Sequence, residues 1–495
     1  MNIELVPVDD WPSLVRPSYT HENNWYSYKL NTIWLEGISD SASGYDIAAH
    51  ELSHYLLHVF TPYGAFLDEL NNMQQNQVLG HCIDVLNYFR DKVQYPVYAF
   101  AKDLLTSQGR AQTCVKDPEF LQAVIKKYVN PWAHSGRLEN ILEGNNTPNV
   151  RAALEGDFLS SLRAVESYCD SYLYDDDALF EQPVQDNPSL PPRRFPEPIN
   201  TGTGGEQNYA CTRIEWGDRQ TYPVGAIHII ESLAQLSESF NEDTWYRLYR
   251  SATGHPYLML WLLTNMKLAS QLPDSREGFG RLLNTYRALC DLAMFVPLGI
   301  IYGRLRPKGA AWFDLHPGCR FMVALDAVPK VGWVENLEHD LDHFQKAICR
   351  ETGWPEPEQF LKLGAQLKHP EFLAHRDACR LRLQHPSAHL DAGLKVIEDD
   401  GFVEKHLPLT YLSTHGELAV RGTGAQALSL IMGFFLPQLC RAIMLKPELN
   451  YQEMLPQHIQ FEGLFANIKS TDDWLELIFK AIPSLRPSNF QKYTV

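Results

Sequence analysis

One nearly uncharged segment close to the N-terminus decides what fold this chain can adopt. Its sequence is Asp46-Ile47-Ala48-Ala49-His50-Glu51-Leu52-Ser53-His54-Tyr55-Leu56-Leu57-His58. From Ile47 to Leu57, Glu51 is the only side chain that carries a formal charge at neutral pH. A helix that is apolar over most of its circumference is usually buried. The segment therefore predicts a buried helix that begins near Tyr45 or Asp46.

Two histidines on this predicted helix have the spacing of a metal site. His50 and His54 are four residues apart, so both imidazoles share one helical face and can converge on one ion at about 2.0–2.1 Å. Glu51 lies on a neighbouring part of that face, where a carboxylate can take a proton from water as it attacks a carbonyl. The pattern predicts a Zn²⁺ site with His50 and His54 as ligands and Glu51 as the general base. The alternative is that both histidines only fill a helix interface.

A β-prone stretch, Thr32–Glu36, precedes the helix and predicts a short strand. A strand followed by an uncharged helix that carries His50-Glu51-Leu52-Ser53-His54 resembles the core of the zincin metallopeptidases. The resemblance covers about 30 of the 495 residues. It implies that the edge of the strand binds an extended peptide and that the helix presents zinc.

A catalytic zinc site requires a third protein ligand. Glu231 lies within Gly225–Gln235, on the otherwise apolar side of a predicted helix, where a carboxylate is expensive to bury unless it is paired or binds a metal. The arrangement is similar to the gluzincin pattern, which implies that Glu231 is the third ligand and that Gln235 orients a ligand histidine. Glu69 and Asp68 remain as alternative ligands.

Other histidines have separate expected roles. His58 is not expected to be a ligand, because it lies about 12 Å along the helix axis from His50. An oxyanion in this chemistry needs a donor such as Tyr, His or Arg. His228 lies one turn before Glu231 and is the candidate catalytic donor. The other candidates for this role are Tyr222 and His255.

A second histidine pair, His339 and His343, has the same four-residue spacing in a strongly acidic segment. The acidic residues are Glu335, Glu338, Asp340 and Asp342. Such a segment usually forms a solvated helix face, and Asp340 is one methylene shorter than the glutamate that a zincin needs. We therefore expect no metal site at this pair.

The composition along the chain predicts four regions. Residues 1–175 form the N-terminal part of a zincin-like catalytic domain, 176–210 a loop or linker, 211–330 the second part with the candidate Glu ligand, and 331–495 a helical C-terminal domain. The density of Pro and Gly in 176–210 excludes a helix or a central strand. If Glu231 is a ligand, this segment is an insertion in one catalytic unit, either covering the site or connecting its parts. The predicted fold class is mostly α (α+β), with a short N-terminal sheet and an active-site helix.

The charge and the cysteines limit the possible partners and location. The 43 Lys+Arg and 60 Asp+Glu give a net charge of −17, which argues against nucleic acid as a main partner. Nine cysteines are scattered singly, as expected for reduced thiols rather than a disulfide framework. We expect no secretory signal, and no apolar run reaches the roughly 20 residues that a membrane span needs. We therefore expect a cytoplasmic protein that does not bind membranes.

The sequence favours a zinc-dependent metallopeptidase that hydrolyses peptide bonds in a protein or peptide substrate. The helical C-terminal region is expected to shape the cleft or to bind a partner protein. The alternative function is that of a non-catalytic helical binding or scaffold protein with a structural or vestigial metal site.

Overall fold

The computed structural model of the chain describes residues 25–28, 32–36, 42–88, 118–144, 151–172, 213–215, 221–237, 259–307, 309–367, 372–387, 389–390, 409–414 and 417–421. These residues are mostly helical, as the sequence predicts. The Pro/Gly-rich segment 176–210 and His255 lie outside the described residues. None of the described helices is long and apolar enough to cross a membrane.

The described residues form thirteen α-helices. They are α1 (Ala42–Phe60), α2 (Pro62–Tyr88), α3 (Pro118–Val124), α4 (Asn130–Glu143), α5 (Arg151–Tyr172), α6 (Ala226–Ser237), α7 (Met259–Leu268), α8 (Arg276–Ala293), α9 (Gly299–Gly303), α10 (Pro317–Val331), α11 (Leu337–Thr352), α12 (Pro357–Ala365) and α13 (Leu373–Gln384). A π-helical turn, Ile125–Val129, joins α3 to α4.

The described strands are short. They are β1 (Trp25–Ser27), β2 (Thr32–Glu36), β3 (Arg213–Glu215), β4 (Thr221–Pro223), β5 (Leu409–Thr414) and β6 (Glu417–Arg421). Four of them form a sheet in the order β1-β2-β5-β6, in which only the β2–β5 pair is parallel. In its register, Trp34 lies opposite Trp25 on one side and Tyr411 on the other. Strands β3 and β4 form a separate antiparallel pair.

The chain is divided into two compact units. One comprises residues 1–39, 70–136 and 408–495, and the other comprises residues 40–69 and 137–407. The four-stranded sheet belongs to the first unit, and helices α1 and α5–α13 belong to the second. The predicted boundaries at residues 175, 210 and 330 stay a prediction.

Within the second unit, the acidic helix α11 is amphipathic. It buries Leu337, Leu341, Phe344 and Ile348, which are three or four residues apart and so share one face. Its other face carries His339 and His343, and both are exposed. The Asn336 side chain caps the helix by accepting hydrogen bonds from the first backbone N–H groups. This helix therefore has the solvated acidic face that the sequence predicts.

Helix α1 ends inside the second unit, where Val59 and Phe60 are buried. The last carbonyl groups of a helix have no partner within it, and a buried end must find partners elsewhere. Three side chains supply them: Thr61 Oγ1 donates to the Leu57 carbonyl at 2.7 Å, His375 Nδ1 to Val59 at 2.9 Å and Arg382 to Phe60 at 2.9 Å. The end of α1 is thus fixed by residues more than 300 positions away.

The tautomer of His375 follows from these contacts. A carbonyl only accepts hydrogen bonds, so Nδ1 of His375 carries the proton. Burial lowers the pKa of His375 to about 4, which keeps the ring neutral at physiological pH. Its Nε2 is then an acceptor, and the Tyr302 hydroxyl lies 2.5 Å from it.

Arg382 also takes part in a buried ionic network. Asp291 is fully buried and contacts Arg382, His389 Nε2 at 2.8 Å and Gln345 Nε2 at 2.7 Å. Burial alone would raise the pKa of Asp291, but the charges of Arg382 and His389 outweigh it and hold this pKa well below its usual range. The network joins α8, α11 and α13.

The turn between α1 and α2 brings the two helices very close together. Thr61 Oγ1 accepts a hydrogen bond from Gly64 N at 3.2 Å, and Pro62 opens α2 at a position where a missing N–H is harmless. A Cβ on Gly64 would lie 1.6 Å from the His58 carbonyl oxygen. Only glycine fits at this contact.

We predict that Gly64→Ala destabilises the protein by roughly 1–3 kcal/mol or more, because backbone has to move to admit the methyl group. The matched control is Gly156→Ala, inside α5, where a Cβ would meet nothing within 4 Å. It should leave stability unchanged or raise it by up to about 1 kcal/mol. Urea unfolding of both variants tests this, and equal midpoints would contradict it.

We predict that Asp291→Asn costs roughly 3–5 kcal/mol, since it leaves the Arg382 charge buried without its partner. The control is Glu277→Gln, which removes an ion pair with Arg281 on the exposed surface and should cost less than about 1 kcal/mol. Because the Asp291 pKa is depressed, its contribution should be complete above about pH 4 and lost on further acidification. Unfolding followed at several pH values measures both effects.

Candidate metal centre

Helices α1 and α6 bring three metal-binding side chains together. Nε2 of His50 and Nε2 of His54 lie 3.3 and 3.6 Å from the same atom, Oε2 of Glu231. One ligand atom from each residue lies within 4.8 Å of the other two. Among the described residues, no other group of three His, Cys, Asp or Glu side chains comes this close. The structure thus joins the three residues that the sequence proposes as ligands.

Helix α1 presents its two histidines as one unit. It runs without interruption from Ala42 to Phe60, so the four-residue spacing brings the two rings together edge to face, with their centroids 4.8 Å apart. The helix begins one turn earlier than predicted. Ser43 and Gly44 look like loop residues, but the first turn of a helix tolerates both at a small cost. His50 and Glu51 are buried.

Helix α6 supplies Glu231 from an almost completely buried position. Nine of its twelve residues are buried, most of them apolar. Its start is held close to the end of α4, since a Cβ on Gly225 would lie 2.2 Å from the Gly144 nitrogen. A carboxylate in such surroundings needs a partner. In the structure, the partners of Glu231 include both imidazoles.

The electrostatics of the site favour a neutral His54. Burial lowers the pKa of His54 to about 4, although Glu231 acts in the opposite direction. The His54 ring is therefore uncharged at physiological pH, which is the form of imidazole that binds metals. Its second nitrogen, Nδ1, is buried and has no hydrogen-bond partner among the described residues. A ligand histidine usually donates this N–H, so the surroundings of His54 depart from the common arrangement.

The three side chains suit a zinc ion in chemistry, and the distances from Glu231 to the two histidines suit it in spacing. Two atoms bound to a tetrahedral zinc at about 2.0–2.1 Å lie roughly 3.3 Å from each other. The distances of 3.3 and 3.6 Å between Glu231 and the two histidines match this value. Two imidazoles and one carboxylate form a common ligand set for catalytic zinc. The donor set therefore suits Zn²⁺.

The alternative third ligands contact other groups. Asp68 Oδ1 lies 3.1 Å from His58 Nε2, so these two residues form their own pair. Glu69 Oε1 accepts a hydrogen bond from the Ile300 backbone at 3.1 Å. Burial raises the pKa of Glu69 to about 8, which disfavours the ionised form that a metal requires. Among the three carboxylates considered, Glu231 is the one that the structure brings to both histidines.

The remaining predicted residues lie on the same two helices or nearby. His228 is completely buried, and its Nδ1 accepts a hydrogen bond from Gly225 N at 3.2 Å. Gln235 is partly buried on α6, one turn after Glu231. Tyr222 lies in β4. The catalytic roles predicted for Glu51 and His228 stay predictions.

Two serines that no sequence pattern distinguishes link the two helices. Ser53 on α1 donates a hydrogen bond to Ser237 on α6, with the two oxygens 2.5 Å apart. Serine is common in helices and at their ends, so neither position carries a signal in the sequence. The link becomes visible only when the helices are packed together.

No family model, no curated protein and no solved structure matches the chain.

Proposed function

We propose that this protein is a zinc-dependent metallopeptidase of the zincin class, which hydrolyses peptide bonds in a protein or peptide substrate. Its ligands would be His50, His54 and Glu231, and its general base Glu51. The observation that carries the proposal is the convergence of two imidazoles on one buried carboxylate oxygen. The proposed fold is a zincin-like catalytic unit with a short N-terminal sheet and α1 as the active-site helix.

Each residue has a chemical task in this proposal. Bound zinc would supply a Lewis acid for a substrate carbonyl and would acidify water. Glu51 would accept the proton that the attacking water loses and pass it to the leaving amine. Glu51 is 4% exposed, and its place beside His50 in the sequence keeps it close to the ligands.

His228 is the proposed donor to the developing oxyanion. Its Nδ1 accepts from Gly225 N, so the neutral ring carries its proton on Nε2. An N–H of this kind can stabilise negative charge on a carbonyl oxygen as it forms. The hydrogen bond to Gly225 also restricts the orientation of the ring.

The class of substrate is proposed from the net charge of the protein. With 17 more acidic than basic residues, the protein would attract a basic protein or peptide better than a nucleic acid. A cytoplasmic location and a partner bound through the helical C-terminal region are part of the same proposal. Cys169, Cys290, Cys319, Cys349 and Cys379 are free and buried.

One observation favours the alternative function, a binding or scaffold protein with a structural metal. The three candidate ligands have side chains that are at most 11% exposed. Structural zinc sites are closed, whereas catalytic sites keep one position open to water or substrate. A closed site would bind metal without hydrolysing peptides.

We predict that protein purified without chelators contains about one zinc per chain, as measured by mass spectrometry. His54→Ala should lose the zinc, whereas Glu51→Gln should keep it and lose peptidase activity by about a hundredfold or more. His339→Ala is the matched control, since it removes one histidine of the exposed pair that has the same four-residue spacing. Wild-type protein without metal would contradict the proposal, and zinc without peptidase activity would favour the scaffold function.

We predict that Glu231→Gln weakens zinc binding by more than about a hundredfold. Removing a hydrogen-bond partner of a ligand usually weakens metal binding about 10–100-fold, and the loss of a ligand itself should weaken it more. Glu69→Gln is the control, since an amide can still accept the hydrogen bond from Ile300. It should bind zinc as the wild type does. Competition with a chromogenic chelator measures both affinities, and the reverse order would assign the third ligand to Glu69.

A further inference from the structure

The two helices that carry the candidate ligands share a small hydrogen-bonded cluster of their own. Ser53 Oγ donates to Ser237 Oγ at 2.5 Å. Ser237 Oγ lies 2.6 Å from the Ala234 carbonyl and 3.3 Å from the Ala49 carbonyl. A hydroxyl has a single hydrogen, so Ser237 divides it between a carbonyl of its own helix and one of α1.

On α1 the cluster lies directly beside the ligands in the sequence, whereas on α6 it lies at the end of the helix. Ala49 precedes His50, and Ser53 precedes His54. Ser237 is the last residue of α6, six positions after Glu231 and therefore about 9 Å along the helix axis. The cluster thus holds α6 at its end while the ligand carboxylate lies near its middle.

A hydrogen bond between the two helices fixes their relative position in a way that apolar packing does not. The buried face of α6 is largely apolar, with residues such as Ile229, Leu233 and Leu236. Apolar contacts are non-directional, so they fix the position of one helix along another less sharply than a hydrogen bond does. A metal site requires its ligands within about 0.5 Å of the productive geometry. The serine link is well placed to supply this accuracy.

We propose that Ser53 and Ser237 are positioning residues for the metal centre. Their hydrogen bond fixes α6 along α1, so that the Glu231 carboxylate lies against His50 and His54. The inference rests on the proposed function, because the ligands are positioned for a zinc ion. Neither serine is one of the proposed ligands.

The test compares zinc binding by Ser53→Ala, Ser237→Ala, the double variant and Ser237→Thr. The matched control is Ser160→Ala, which removes a serine that also donates to the carbonyl three residues before it, on the exposed side of α5. Zinc affinity is measured by competition with a chromogenic chelator. The visible spectrum of the Co²⁺ form reports the ligand geometry, and unfolding in the presence of chelator reports the stability without metal.

We expect Ser53→Ala and Ser237→Ala to bind zinc about three- to tenfold more weakly, as the loss of one hydrogen bond implies. The double variant should bind zinc no more weakly than Ser237→Ala, since both changes remove the same Ser53–Ser237 hydrogen bond. Ser237→Thr should restore the affinity and the Co²⁺ spectrum, and Ser160→Ala should change neither.

Two other results would each overturn the inference and can be told apart. If the wild type binds zinc and both alanine variants bind it within twofold, the serines only stabilise the fold and the proposed function stands. If the wild type binds no zinc, the proposed function fails and the positioning role fails with it.

Discussion

Much of the second unit depends on the buried end of helix α1. A helix that stops in the core leaves carbonyl groups that cannot reach water, so other parts of the chain must supply donors. His375 and Arg382 on α13 supply two of them, and the charge on Arg382 then requires the buried carboxylate of Asp291. One backbone requirement thus leads to an ionic network that joins helices from distant parts of the sequence. It also fixes α1 along its own axis, and with it the two histidines.

Local patterns in the sequence were sufficient to predict several helices. Apolar periodicity predicts helices over Asn336–Arg350, Pro357–Leu367 and Glu371–Leu383. Helices α11, α12 and α13 lie within two residues of these segments, because periodicity and a good cap such as Asn336 act over short distances. Helix α10 was not predicted. It contains Pro317 and Pro329, which usually interrupt helices, but Pro317 opens the helix, where a proline is favoured.

The candidate site could be predicted only in part, for a related reason. The spacing of His50 and His54 is a local property of one helix and is visible in the sequence. Glu69 and Glu231 are both buried carboxylates, so their residue type does not distinguish them. What distinguishes them is the packing partner, which is the Ile300 backbone for Glu69 and the imidazole pair for Glu231. Such long-range packing leaves no periodic signal in the chain.

The distance in sequence between α1 and α6 has a consequence for biosynthesis. Ser53 and Ser237, which touch in the folded protein, are 184 residues apart. At about 5–20 residues per second, a ribosome needs roughly 10 to 40 seconds to make the chain between them. During that time the apolar surface of α1 has neither α6 nor α13 to cover it. The nascent chain therefore presents an unprotected hydrophobic helix, of the kind that chaperones bind and that aggregates when left alone.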